Sequence, residues 1–229
     1  MMRFKNSLLS MCMLSIFSAY AQDIMVLDHD DSLVIQHHLE YANHYFERQE
    51  SRTASEFFNK AAYIYWEHDL YLEALRHYKQ SFTIIEGLED KNLLATVSNN
   101  IGTLYGDLSY PDSALYFFKI NLEARESLGQ KIGAISALVN IAVIYSVLEQ
   151  YSDAIRHLDK ARDYAVDIED YNQLGRCYAA LSEAFGELDK TEASMGYFQL
   201  FNFVNDLNNQ GATSQHLIEI QSREKKIPR

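Results

Sequence analysis

Proline is nearly missing from this chain: there are 2 in 229 residues, with only 9 glycines. Long segments therefore contain nothing that interrupts a helix. Folds built from many short strands joined by Gly- and Pro-rich turns are excluded, as is strict apolar–polar alternation, which the chain also lacks. Cysteine is scarce, with 2 residues, so no disulfide framework holds the fold. Basic residues are the minority, 20 against 32 acids, for a net charge of −12. That balance repels nucleic acid and anionic lipid and draws in cationic segments. There is no Gly-rich phosphate loop, no G-x-S-x-G and no C-x-x-C. The chain therefore reads as non-catalytic and free of cofactors.

What the chain does have is a repeat. Ala62, Gly102, Ala142 and Ser182 stand 40 residues apart, and three positions later come Tyr65, Tyr105, Tyr145 and Phe185. Further columns follow at the same period: Ala74, Ala114, Ala154 and Ser194, then Tyr78, Phe118, Leu158 and Phe198. Offsets of 3, 4 and 7 within the first set (58, 61, 62, 65) give one apolar stripe on a first helix. Offsets of 4 in the second set give a stripe on a second helix. Small residues belong where helix axes approach closely and rings where the gap is wider, which makes both sets packing positions. Glu73, Asp112, Asp153 and Glu192 open the second helices, where a helix dipole favours acids, and Pro111 suits a first turn. The unit is a helical hairpin, repeated, and such arrays offer extended surfaces rather than one enclosed core.

The segments Asn100–Tyr105 with Pro111–Ala114, and Asn140–Tyr145 with Tyr151–Ala161, resemble the tetratricopeptide repeat. Its signature of small residue, ring, Ala, ring and Ala falls on Ala142, Tyr145, Ala154, Leu158 and Ala161, with Leu158 in place of a ring. The usual unit is about 34 residues, so these units are lengthened, like those of repeat arrays in bacterial sensor kinases and regulators. In the fourth unit Ser194 and Phe201 depart from the pattern. The resemblance implies an all-α, right-handed α-α superhelical solenoid with repeats at 55–94, 95–134, 135–174 and 175–212. Residues 22–54 form an N-terminal segment with a capping helix over 31–48, and 213–229 a C-terminal helix and tail.

The resemblance also implies that first helices line a concave side that receives a peptide or protein segment. The residues there that lie outside the packing columns are Asn59, Tyr63 and Trp66 in the first unit and Asn99, Asn100 and Thr103 in the second. Ser136, Asn140 and Val143 follow in the third, and Arg176 and Glu183 in the fourth. Asn100 and Asn140 occupy a column where the family places an asparagine that bonds ligand backbone. An amide carries both donor and acceptor, so the alternative is a bond tying adjacent helices. Tyr63 and Trp66 are candidate aromatic anchors.

The N-terminus is a separate device. Arg3 and Lys5 precede an apolar run from Leu8 to Phe17, then Ala19-Tyr20-Ala21. That order reads as a signal peptide at 1–21, with an apolar run too short to span a bilayer, and implies export to a periplasm, in a Gram-negative cell, or beyond. Cleavage there removes two cations and no acid, shifting −12 to −14, and leaves no membrane span in the mature chain. Cys177 is then the remaining thiol and reads as a small core residue. His37, His38, Glu40 and His44 form no H-E-x-x-H or E-x-x-H pattern, His68, Glu73 and His77 straddle a turn, and Asp28–Asp31 lack the Gly and distal Glu of a calcium loop. No metal site is expected. The leading reading is an exported, non-catalytic scaffold that binds a peptide or protein. The alternative is a sensory input module of a bacterial signalling system, because residues 213–226 resemble the helix that leaves such arrays for an output domain. The sequence does not fix an oligomeric state.

Overall fold

The structure, a computed structural model, describes residues 27, 29–211 and 213–228; residues 1–21, expected to be a signal peptide, and Asp28 lie outside them. Among the described residues there are ten helices and no strands. They are α1 (His29–Glu47), α2 (Ser51–Glu67), α3 (Tyr71–Glu86), α4 (Lys91–Asp107), α5 (Pro111–Ser127), α6 (Lys131–Val147), α7 (Tyr151–Asp167), α8 (Tyr171–Glu187), α9 (Thr191–Gln210) and α10 (Ser214–Glu224). First helices start at 51, 91, 131 and 171 and second helices at 71, 111, 151 and 191. This is an all-α array of consecutive helical hairpins.

The turns explain that regularity. Gln49, Asp69, Ser109, Gly129, Glu149, Glu169 and Asp189 all have φ between 53° and 66°. The amide after each reaches back five residues, as in Tyr110 N to the Tyr105 carbonyl (2.8 Å) and Gln150 N to that of Tyr145 (2.8 Å). This is the Schellman closure, in which one left-handed residue satisfies carbonyls left open by the helix end. The same turn thus recurs about every 20 residues, within hairpins and between them. Among the turns between α1 and α9, only 87–90 breaks the pattern. Gly87 ends α3 with φ −85° and no left-handed residue follows. The array divides there into two compact units, one ending at Asp90 and one beginning at Lys91.

In the first unit α2 and α3 are locked by a reciprocal serine pair. Ser55 Oγ donates to the Ser81 carbonyl (3.1 Å) and Ser81 Oγ to that of Ser55 (2.9 Å), with both residues fully buried. His68 bridges to Asp31 of α1 at 2.8 Å. In the second unit the equivalent hairpins bury Ile101, Leu104, Phe118, Ile135, Leu138, Leu158, Leu174 and Leu181. Each residue buries an apolar side chain worth about 1.5–3 kcal/mol, so stacking supplies the stability.

Of the packing positions, Ala62, Ala74, Tyr78, Gly102, Ala114, Phe118, Ala142, Ala154, Leu158, Ser182 and Phe185 are buried, and Tyr65, Tyr105 and Tyr145 are half-buried. A column one place earlier than the 78 series faces the first-helix rings. His77 stacks on Tyr65, Phe117 on Tyr105, His157 on Tyr145 and Tyr197 on Phe185, with centroids 5.2–5.7 Å apart.

Phe198 is not a packing residue. It is 55% exposed, whereas Tyr197 is fully buried. The buried stripe of α9 runs Ala193, Tyr197, Leu200, Val204 and Leu207, one residue short of the forty-residue register, and one residue turns a helix by about 100°. In the second unit a full first helix follows α5 and α7 and covers this face. After α9 the described residues hold the short α10, with Arg223 over Phe203 (4.0 Å) and Ile227 beyond it over Gly196. That last helix folds back on the array rather than leaving it. Leu217 and Ile220 are buried, Glu224 accepts from Arg162 at 2.6 Å, and the buried Tyr178 hydroxyl donates to Glu224 at 3.0 Å.

Candidate functional site

The residues expected to line a groove fall in both units. In the first, α2 carries Asn59 and Trp66, both half-buried, and the exposed Tyr63. Tyr63 and Trp66 hold ring centroids 5.6 Å apart. A hydrogen bond to Glu67 and that residue's charge push the Tyr63 hydroxyl pKa up, so the phenol stays a neutral donor.

In the second unit the asparagines tie helices together. Asn140 Nδ2 of α6 donates to Asn99 Oδ1 of α4 at 3.3 Å, and Asn121 Nδ2 of α5 donates to the same oxygen at 3.2 Å. Asn140 is therefore engaged within the array, while Asn100, one residue from Asn99, is half-buried. Thr103 and Ser136 turn their hydroxyls to their own helices, onto the carbonyls of Asn99 (3.1 Å) and Ile132 (3.3 Å). Arg176 is exposed and donates to Gln173 at 3.1 Å.

Val143 and Glu183 do come together. Between α6 and α8 lies an open groove of about 450 Å³. Val139, Val143 and Val147, four residues apart, align on α6 as one apolar wall, with Ser146 beside them. Val143 is 53% and Val147 69% exposed. Ala142, Ala184 and Leu158 are buried and, with Ala180, form the floor. Glu183 and Glu187 make the opposite wall, and Tyr151, opening α7, donates its hydroxyl to Glu187 at 3.4 Å. The small residues of α8 keep the groove open; larger ones at 180 and 184 would fill it. Val147 and Ala180 were not among the expected ligand positions, whereas Glu187 lies on the outward face of α8 that the helix period gives. The signal for Val147 is a column: Glu67, Asp107, Val147 and Glu187 stand 40 residues apart, acidic except in the third unit.

Burial pushes the Cys177 thiol up to about 12, far from the thiolate a nucleophile needs. Burial also lowers the His77 and His38 pKa values. Among the described residues no three His, Cys, Asp or Glu side chains come together to hold a metal ion. No described helix is long and apolar enough to cross a membrane.

No protein-family model matches the chain, and no curated protein matches it. Solved structures do. The apo form of RapI superposes with a TM-score of 0.63 at 17% identity, covering 77% of this chain and 72% of that one. A Podosopora anserina putative kinesin light chain with nearly identical TPR-like repeats gives 0.59 at 11%, covering 81% and 100%. Bacillus thuringiensis PlcR, solved in complex with the peptide PapR7 and DNA, gives 0.58 at 16%, covering 86% and 72%. At these identities the likeness is one of architecture, and with the forty-residue hairpins and their ring columns it gives this chain the fold of tetratricopeptide-repeat arrays.

Proposed function

We propose that the protein is a non-catalytic, exported scaffold that binds a peptide or protein segment along its first helices, with the α6–α8 groove as its principal seat. One observation carries the reading: Val143 and Val147 are largely exposed valines on the rim of an open, alanine-floored groove. Covering each with a partner side chain contributes about 1 kcal/mol, since roughly half its surface is still wet. Peptide binding is compatible with this architecture, as the PlcR complex with PapR7 illustrates for another chain of like fold. Export rests on the order of charge, apolar run and small residues within 1–21.

The test is selection of a displayed 12-residue peptide library on the array, followed by affinity measurement on a Val143→Arg variant. Val143 touches solvent, so the variant keeps the wild-type helical spectrum. The reading expects enriched peptides whose binding the variant abolishes. Peptides that bind both proteins equally would refute the groove. Appearance of the mature N-terminus at residue 22 in an exported fraction tests the leader, and retention of residues 1–21 there would refute it.

A further inference from the structure

We infer that the α6–α8 groove selects a cationic segment, one that presents a bulky apolar side chain to the valines with lysine or arginine beside it; this deepens the reading above and rests on it. The argument is charge complementarity across a single cleft. Its α6 wall carries no charge at Val139, Val143, Ser146 and Val147. Its α8 wall carries Glu183 and Glu187, both exposed. No lysine or arginine lines the cleft. An apolar side chain seated between the walls therefore has a hydrophobic neighbour on one side and two carboxylates on the other.

Position on the repeat strengthens this. At the end of the first helices, Asp107 and Glu187 continue the acidic column on α4 and α8, and Val147 interrupts it on α6. In a ligand running across these helices, the part over α6 meets apolar surface and the parts on either side meet carboxylates. Tyr151 adds a directional element. Its hydroxyl donates to Glu187 (3.4 Å) and keeps a lone pair free for an incoming ammonium or guanidinium. Arginine gains most, because its planar fork can engage Glu187 while its stem lies on Val147. An anionic or uncharged segment would bury the same valines against uncompensated carboxylates, so the acidic wall discriminates by repulsion as well as by attraction.

The experiment is the same 12-residue library selected in parallel on the wild type and on a Glu183→Lys/Glu187→Lys variant, both positions being surface ones. The expected wild-type consensus is a large apolar residue flanked by lysine or arginine. Those peptides should bind the variant about five- to tenfold more weakly at low salt, with the gap narrowing as salt rises. The variant should itself select acidic flanks. Enriched peptides that are neutral or acidic, or that bind both proteins equally, overturn the cationic selection. If such peptides still fail on Val143→Arg, the groove stands and only its selectivity falls. If nothing enriched depends on Val143, both readings fall.

Discussion

Gly102→Ala should destabilise the second unit although it replaces the poorer helix former. A Cβ at residue 102 would lie 2.7, 2.8 and 3.1 Å from three ring carbons of Phe118. Carbon contacts settle near 3.5–4.0 Å, so the ring would have to retreat by about 1 Å. It has little room: Phe118 is 4% exposed and packs with Leu115, Ile141 and Ile144. Overpacking costs about 1–3 kcal/mol, and the helix gain from glycine to alanine is about 1 kcal/mol. The expected net loss is about 1 kcal/mol. One repeat later the same two positions hold Ala142 and Leu158, so Phe118→Leu should make room for the alanine. In a double-mutant cycle by urea unfolding at 222 nm, Gly102→Ala/Phe118→Leu should be more stable than the two single losses imply, by about 1–2 kcal/mol. A stabilising Gly102→Ala, or strict additivity in the cycle, would refute the reasoning.

Three further outcomes follow from other sites. Glu149→Gly should raise stability by about 0.5–1 kcal/mol in the same urea assay, because the turn holds this residue at φ 59°, which costs an L side chain about 1–2 kcal/mol, partly offset by unfolded-chain entropy; a loss would contradict the turn assignment. The buried His77, its pKa lowered chiefly by burial and further by Arg76 while a bond to Gln80 opposes them, stays neutral in the fold while the unfolded chain takes up a proton. Stability present at neutral pH is therefore lost as pH falls below about 6.5 toward the folded pKa. His77→Phe, the residue found at 117, should flatten that decline in thermal melts, leaving the part due to His38; an unchanged slope would sink the argument. Glu224→Ala should cost about 1–3 kcal/mol, because Arg162 keeps only Asp159 and Asp163 and the buried Tyr178 hydroxyl loses its acceptor. Amide exchange in α10 should accelerate, and unchanged protection there would show that the helix docks without the carboxylate.

The hairpin array was legible because its period is written in residue size, and size at close helix contacts cannot vary freely. Ala62, Ala142 and Ala154 could be read off for that reason. Less legible was the stacking column at 77, 117, 157 and 197. Two of its members are histidines, and the more apolar 78 series lies one residue away, so the eye takes the wrong one in α9, where Tyr197 is buried and Phe198 is not. The twenty-residue recurrence of the turns was hidden because Gln49, Asp69, Ser109, Glu149, Glu169 and Asp189 are polar residues of types that also cover the helix surfaces; of the seven turn positions only Gly129 shows the left-handed requirement. For the groove, an outward face could be counted from the helix period, which placed Val143 and Glu183. Whether an outward asparagine meets solvent or a neighbour depends on the distance between first helices, and that distance turned Asn140 toward Asn99.

The most direct measurement is methyl NMR of the array with labelled valines, titrated with the highest-affinity library peptide. The account expects shifts at Val139, Val143 and Val147, on the rim of the α6–α8 groove, and quiet signals at the buried Val97 and Val204. Binding that moves Val97 or Val204 while leaving the three α6 valines untouched would contradict it.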